Sequence, residues 1–265
     1  MTRPPAPDTR ACRRRTAPPQ PVPGQHSDDS TAGRTTSAHA ADRTRRHTGT
    51  KVRRGAMDLL ADPRVRLAAG TAGVLITAHA ARAGQVGRVE ARAFRAVNGL
   101  PDALYPPVWL IMQFGALGAV PAAAGAAWLA GERRLAARLL ADGTATWALA
   151  KLVKQDVQRP RPAMLLADAR SRGRPPAGLG YLSGHAGVAT ALGAATLPHL
   201  GPAGRATTLG IMSAVALSRV YIGAHLPLDI AGGIALGTAV DAALALPRRR
   251  RDQQESRSDD GLVPA

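Results

Sequence analysis

Three short clusters carry residue types and spacings that could do chemistry. They are Lys-Gln-Asp-Val-Gln-Arg-Pro-Arg-Pro at 154–162, Tyr-Leu-Ser-Gly-His at 181–185, and Ser-Arg-Val-Tyr-Ile-Gly-Ala-His-Leu-Pro-Leu-Asp at 218–229. Lys154, Arg161 and Arg219 are cations at or near the ends of apolar stretches. Converged on one site, they would suit a phosphate dianion and the charge that grows on its oxygens in the transition state. Lys51, Lys151 and Lys154 are the only lysines among 35 basic residues. A compact ammonium at 154 therefore reads either as a chosen phosphate ligand or as a side chain snorkelling to an interface.

His225 and Asp229 stand four residues apart, on one helix face, and Pro227 between them fits a first helical turn. A carboxylate one turn below an imidazole can hold the proton of one ring nitrogen and leave the other lone pair free to attack. Such a pair can also be purely structural. Its place beside Arg219 at the edge of an apolar stretch favours the chemical reading. Ser183 and Gly184 precede an apolar run and read as a helix N-terminus, where backbone N–H groups and a hydroxyl can cradle an anion. His185 beside them is suited to protonating a leaving oxygen. No carboxylate cluster suited to Mg²⁺ accompanies these residues, Asp156 being the nearest acid.

The elements that must position them are apolar. Six stretches are marked, at about 66–82, 104–130, 136–155, 186–201, 205–222 and 227–246. The first and fourth are short for a bilayer core that takes about 20 residues, and many positions are Ala or Gly. A soluble Ala-rich helical bundle is the competing reading. The length of the second and sixth stretches favours membrane insertion, and small residues suit close helix packing in lipid. Six spans with the N-terminus inside put the C-terminus inside too. The internal flanks are then 51–54, Arg133, Arg134, Arg138, Arg205 and 248–251, as the positive-inside rule expects. Arg82, Arg88, Arg92 and Arg95 in the first external loop run against that rule. All three clusters fall on the outer side. Asp142 and Asp241 lie within the stretches toward the inner end, either as functional carboxylates or as partners in helix packing.

Composition divides the chain further. Residues 1–56 hold twelve basic residues against four acids, a net charge of +8 out of the +17 of the whole chain. With almost no large apolar side chains, this stretch cannot offset its ordering entropy and reads as a disordered basic tail. No nucleic-acid-binding motif accompanies its arginines, and aromatic residues make up only 3% of the chain, too few for base stacking. A cytoplasmic tail held against anionic lipid is the better account. Cys12, the single cysteine, precludes an intramolecular disulfide. No apolar run follows the early arginines, so the N-terminus does not read as a secretory signal. Met57, at the edge of the apolar body, reads as a candidate start of translation.

Order and spacing of the three clusters resemble the signature of the type-2 phosphatidic acid phosphatase (PAP2) superfamily: Lys-x6-Arg-Pro, Pro-Ser-Gly-His and Ser-Arg-x5-His-x3-Asp. Leu182 stands where the second motif has proline, which bears on loop rigidity and not on a reacting group. The resemblance covers about 57–247 and implies an all-α, integral-membrane six-helix bundle, flanked by the 1–56 tail and a charged cytoplasmic tail at 248–265. It further implies a multi-pass protein of the cell membrane whose site faces the extracytoplasmic side. By the same resemblance, His225 would attack phosphorus, Asp229 would orient it, and His185 would protonate the leaving group and then activate water. Lys154, Arg161, Ser183, Gly184 and Arg219 would bind the phosphoryl oxygens. No metal and no cofactor would be needed.

The activity so implied is hydrolysis of a lipid phosphomonoester or pyrophosphate. Polyprenyl phosphates, phosphatidic acid and phosphatidylglycerophosphate all present such a group at a membrane surface. The arginine-rich loop at 165–180 is placed to shape that choice. Two alternatives stand beside this reading: a soluble haloperoxidase-like enzyme that binds vanadate, and a non-catalytic membrane protein that keeps the fold. The Arg-, Ala- and Gly-heavy composition suggests a high-GC bacterial genome and an envelope role.

Overall fold

Proline and a capping carboxylate set where the first fully described helix begins. Asp62 accepts from the Arg64 N–H at 2.8 Å, and Pro63 occupies the first turn, where its missing N–H costs nothing. The computed structural model describes residues 61–174 and 177–260, with side chains as far as 246. The basic tail expected at 1–56 lies outside the described residues.

From there the chain runs through α1 (Pro63–Arg82), α2 (Arg88–Asn98), α3 (Tyr105–Met112), α4 (Ala119–Leu129) and α5 (Arg133–Val157). It continues through the single turn α6 (Pro162–Leu165), then α7 (Gly184–Thr196), α8 (Pro202–Tyr221) and α9 (Pro227–Asp260). No strand occurs among the described residues, so the all-α expectation holds.

Helix α7 is the axis of the bundle. Ala186 to Gly193 are buried along its whole circumference, because α5, α8 and α9 pack around it. A helix that is buried all round needs small side chains to let its neighbours approach. At Gly237 of α9 the approach is closest: a Cβ there would come within 2.3 Å of the Gly187 carbonyl oxygen. Outside this core α1 lies along α9, α4 along α5, and α3 along α8.

Asp142 and Asp241 bind the same cation. Arg138 donates to Asp142 Oδ2 and to Asp241 Oδ1, both at 2.8 Å, and Arg66 also pairs with Asp241. This network joins α1, α5 and α9 through charges that are nearly all buried, so the two carboxylates serve helix packing. Buried acids stay ionised only when paired in this way.

Four boundaries differ from those read in the sequence. The stretch at 104–130 is not one helix. It breaks at a 3₁₀ turn, Gln113–Gly115, and the axis bends by 68° before α4. Gly115 and Gly118 flank that break, and Ala116 is extended, so the hydrogen-bond ladder stops there. The loop expected to be the first external one contains α2, an amphipathic helix that buries Ala91, Phe94 and Asn98 and turns Arg88, Val89, Arg92 and Arg95 outward. Helix α7 ends at Thr196, short of 201. The final helix runs on to Asp260, so 247 is not a helix boundary.

Candidate active site

The site assembles where four helix ends meet. Lys154 rides the last turn of α5. Gln158, in the left-handed region at φ 54°, stops that helix and turns the chain into the Arg159–Pro160–Arg161 segment. Ser183 caps α7, its hydroxyl accepting from the Ala186 N–H. Arg219 closes α8, and the turn to α9 carries His225. Asp229 lies in the first turn of α9. The backbone ties these ends together: Ser183 N–H donates to the Asp229 carbonyl at 2.9 Å, and His225 N–H to the Arg219 carbonyl at 3.1 Å.

All eight residues singled out from the sequence come together. Lys154, Arg161, Gly184, His185, Arg219 and His225 line a cavity of about 310 Å³, with Trp147 and the 177–179 loop completing its wall. Ser183 and Asp229 stand directly behind it, both fully buried.

Lys154 and Arg161 are held by neutral oxygens, which leaves their charge for a ligand. Lys154 Nζ donates to the carbonyls of Leu179 and Gly180 at 3.2 Å each. Arg161 donates through Nη1 to Ala224 O at 2.7 Å and through Nη2 to Ala177 O at 2.9 Å. Arg219 is buried with its Nε lacking any hydrogen-bond partner. A buried donor without an acceptor is costly, and an anion in the cavity would relieve it.

Geometry also fixes the state of His225. Arg161 Nη1 lies 3.2 Å from its Nε2, and a guanidinium can only donate, so Nε2 is the acceptor and Nδ1 carries the hydrogen. That Nδ1 faces Asp229 Oδ2 at 3.6 Å, longer than a hydrogen bond. Burial pushes the His225 imidazole down to about 3. Asp229 pulls the other way, while Lys154 and Arg219 add to the lowering. His225 lies in the turn between α8 and α9, and at neutral pH its Nε2 lone pair faces the cavity.

Two residues that the motifs did not mark belong to the site. Arg159 is 1% exposed and donates to Asp229 Oδ1 at 2.8 Å. Its other partner is Glu90, on α2, 69 residues away in sequence. Arg159 sits among the unspecified positions between Lys154 and Arg161, where its charge next to Pro160 was the available signal. Glu90 gave none, being one acid in an arginine-rich loop. Leu182, in place of the motif's proline, is wholly buried and packs with Tyr181 and Ala150 between α5 and α9.

Comparison with known proteins bears on the family and the fold. Residues 135–252 match the family model described as the PAP2 superfamily, a span that holds all eight site residues. The fold is similar to the crystal structure of Aquifex aeolicus LpxE, with a TM-score of 0.56 and 18% identity over 62% of this chain and 98% of that one. It is also similar to a transmembrane PAP2-type phosphatidylglycerolphosphate phosphatase from Bacillus subtilis, with a TM-score of 0.53 and 20% identity over 70% and 96% of the two chains. No curated protein sequence matches the chain. What the chain shares with the PAP2 superfamily is the 135–252 segment, and its fold is that of the two phosphatase structures.

Proposed function

We propose that the protein is a membrane lipid phosphatase that hydrolyses a phosphomonoester or pyrophosphate of a lipid through a phosphohistidine at His225. The observation that carries this reading is the His225 Nε2 lone pair, held 3.2 Å from Arg161 inside a cavity that Lys154 and Arg219 also face. The Bacillus subtilis structure, named as a phosphatidylglycerolphosphate phosphatase, supports hydrolysis of a lipid phosphate.

In the first step Nε2 attacks phosphorus and the bond from phosphorus to the lipid oxygen breaks. His185, which burial and the cations Arg219, Lys154 and Arg161 lower to about 3, would take up a proton as the bound phosphate dianion offsets those cations, and give it to that oxygen. In the second, His185 takes a proton from water, the water oxygen attacks phosphorus, the P–N bond breaks and inorganic phosphate leaves. Lys154, Arg161, Arg219 and the N-terminus of α7 would hold the phosphoryl oxygens throughout. These cations would do the neutralising that a metal does elsewhere, so EDTA should leave activity intact. Vanadate should inhibit as a mimic of five-coordinate phosphorus.

Membrane insertion is part of the proposal. Residues 227–246 form a helix long and apolar enough to cross a bilayer, and the bent pair Asp102–Gly115 and Ala119–Leu129 passes as a second span. Large apolar side chains face outward on several other helices: Leu75 and Ile76 on α1, Leu110 on α3, Leu129 on α4, Leu152 on α5 and Leu217 on α8. A soluble haloperoxidase-like protein would leave that belt in water.

Acid-quench trapping with labelled nitrophenyl phosphate tests the mechanism. His225→Ala should form no phosphoenzyme. His185→Ala should still be phosphorylated, because this leaving group needs little protonation, and should then accumulate label as hydrolysis slows by roughly 10²–10⁴-fold. Label on His185, or near-normal turnover by His225→Ala, would mean that the roles are wrong.

A further inference from the structure

Behind the cavity lies a buried ionic group that the family signature does not include. Arg159 has a fully buried side chain, and a lone charge there would cost several kcal/mol. It is matched by two carboxylates. Nη1 is shared between Asp229 Oδ1 at 2.8 Å and Glu90 Oε1 at 3.0 Å, while Nη2 meets Glu90 Oε2 at 2.8 Å. Glu90 Oε1 also accepts the Leu228 N–H at 3.1 Å, in the helical turn that carries Asp229. Asp229 Oδ2 in turn accepts the Leu226 N–H at 2.9 Å. Glu90 therefore grips both the cation that holds the Asp229 carboxylate and the backbone beneath it.

Charge gives the arrangement a further consequence. Asp229 paired with Arg159 alone would be neutral and would offer little to a histidine gaining positive character. With Glu90 the group carries a net −1, buried a few ångströms from His225. The rigid fork of a guanidinium also suits service to two carboxylates at once better than a single ammonium does. Glu90 lies outside the segment that matches the family, on the amphipathic helix α2.

We propose that Glu90 and Arg159 are positioning residues for phosphoryl transfer, fixing Asp229 against His225 and keeping the buried group anionic as the imidazole takes up phosphorus. This rests on the phosphohistidine reading above. A purely structural pair would need only the hydrogen bonds. Glu90→Gln keeps the shape and an acceptor but removes the charge, and Arg159→Lys keeps the charge but loses the fork.

The test is single-turnover phosphorylation of the full-length protein in detergent by labelled nitrophenyl phosphate. The rate is read per competent site from the burst amplitude, so that misfolded protein does not count. Steady-state kcat and KM are measured alongside. Both variants should phosphorylate His225 about 10- to 100-fold more slowly, the range typical of lost orienting partners, with KM within about twofold of wild type. Wild-type per-site rates in Glu90→Gln, or a loss confined to KM or to the yield of folded protein, would overturn the positioning role. Wild-type protein that turns over without label on His225 would instead sink the phosphohistidine reading, and the positioning role with it.

Discussion

Asp229 is held by everything except the histidine it faces. One oxygen takes Arg159 and the other takes the Leu226 N–H, while His225 Nδ1 stands off at 3.6 Å. Orienting bonds of this kind often close only when a ligand arrives. Burial already secures neutrality of the imidazole, and that has a consequence for stability. Unfolded, the histidine titrates near 6.5; folded, burial lowers it to about 3. The neutral buried ring therefore contributes fully above pH 6.5. Its contribution falls as the pH drops from 6.5 toward 3, because only the unfolded chain takes up the proton. The slope for one such proton is at most about 1.4 kcal/mol per pH unit. Thermal unfolding in detergent, compared between wild type and His225→Gln, should show a gap in Tm that moves against the wild type between pH 6.5 and 4. A gap that does not change with pH would mean that His225 is not buried neutral.

Helices were legible in proportion to how apolar they are. The third, fifth and sixth stretches became α5, α8 and α9 because each is a long run of helix-forming apolar residues that ends at Gly, Pro or charge. Two elements were not legible, each for a physical reason. The break inside 104–130 is set by what packs on it, since Gly115 nests against α7 and α8. Helix α2 has one large apolar anchor, Phe94, among arginines, and its helical period was hidden by that charge. The same division holds within the site: motif residues announce themselves, whereas Glu90 acquires meaning only when α2 folds over the start of α9.

The broken span also makes a prediction. A Cβ at Gly115 would come 2.5 Å from the His185 carbonyl oxygen and 2.6 Å from Val215 Cγ1. The first of these belongs to the backbone of His185, so making room there would shift the histidine. Gly115→Ala should cost about 1–3 kcal/mol and lower kcat more than it raises KM. Gly118→Ala, three residues on, meets nothing within 4 Å and serves as the control. Equal effects of the two substitutions on kcat would show that the break does not position His185.

At the scale of the whole molecule the remaining question is which side of the bilayer the cavity faces. The described helix ends separate two chemistries. One end carries Arg133 over the ring of exposed Trp128, at 5.2 Å, as an interfacial anchor, with Arg134 and Arg205 close in sequence to the ends of other helices. The other carries the cavity, the arginine-rich loop at 165–174 and α2. Basic residues near short loops favour the cytoplasm, so we propose the Trp128 end inside and the cavity outside. The excess of arginine on the outer side is partly neutralised in place, since Arg82 pairs with Asp156, Arg95 with Asp168 and Arg172 with Asp102. Cysteine labelling can decide the matter, and the structure guides the choice of positions. Gly131 and Gly173 mark the two sides, but both have left-handed backbones, and a Cβ at Gly173 would strike the Tyr105 hydroxyl at 2.1 Å. Exposed neighbours are better: Ser171 on the outer side and Glu132 on the inner. With Cys12 changed to Ser, Ser171→Cys should react with an impermeant maleimide on intact cells. Glu132→Cys should react only after the membrane is opened. Labelling of both from one side would break the six-span assignment, and the reverse pattern would put the active site in the cytoplasm.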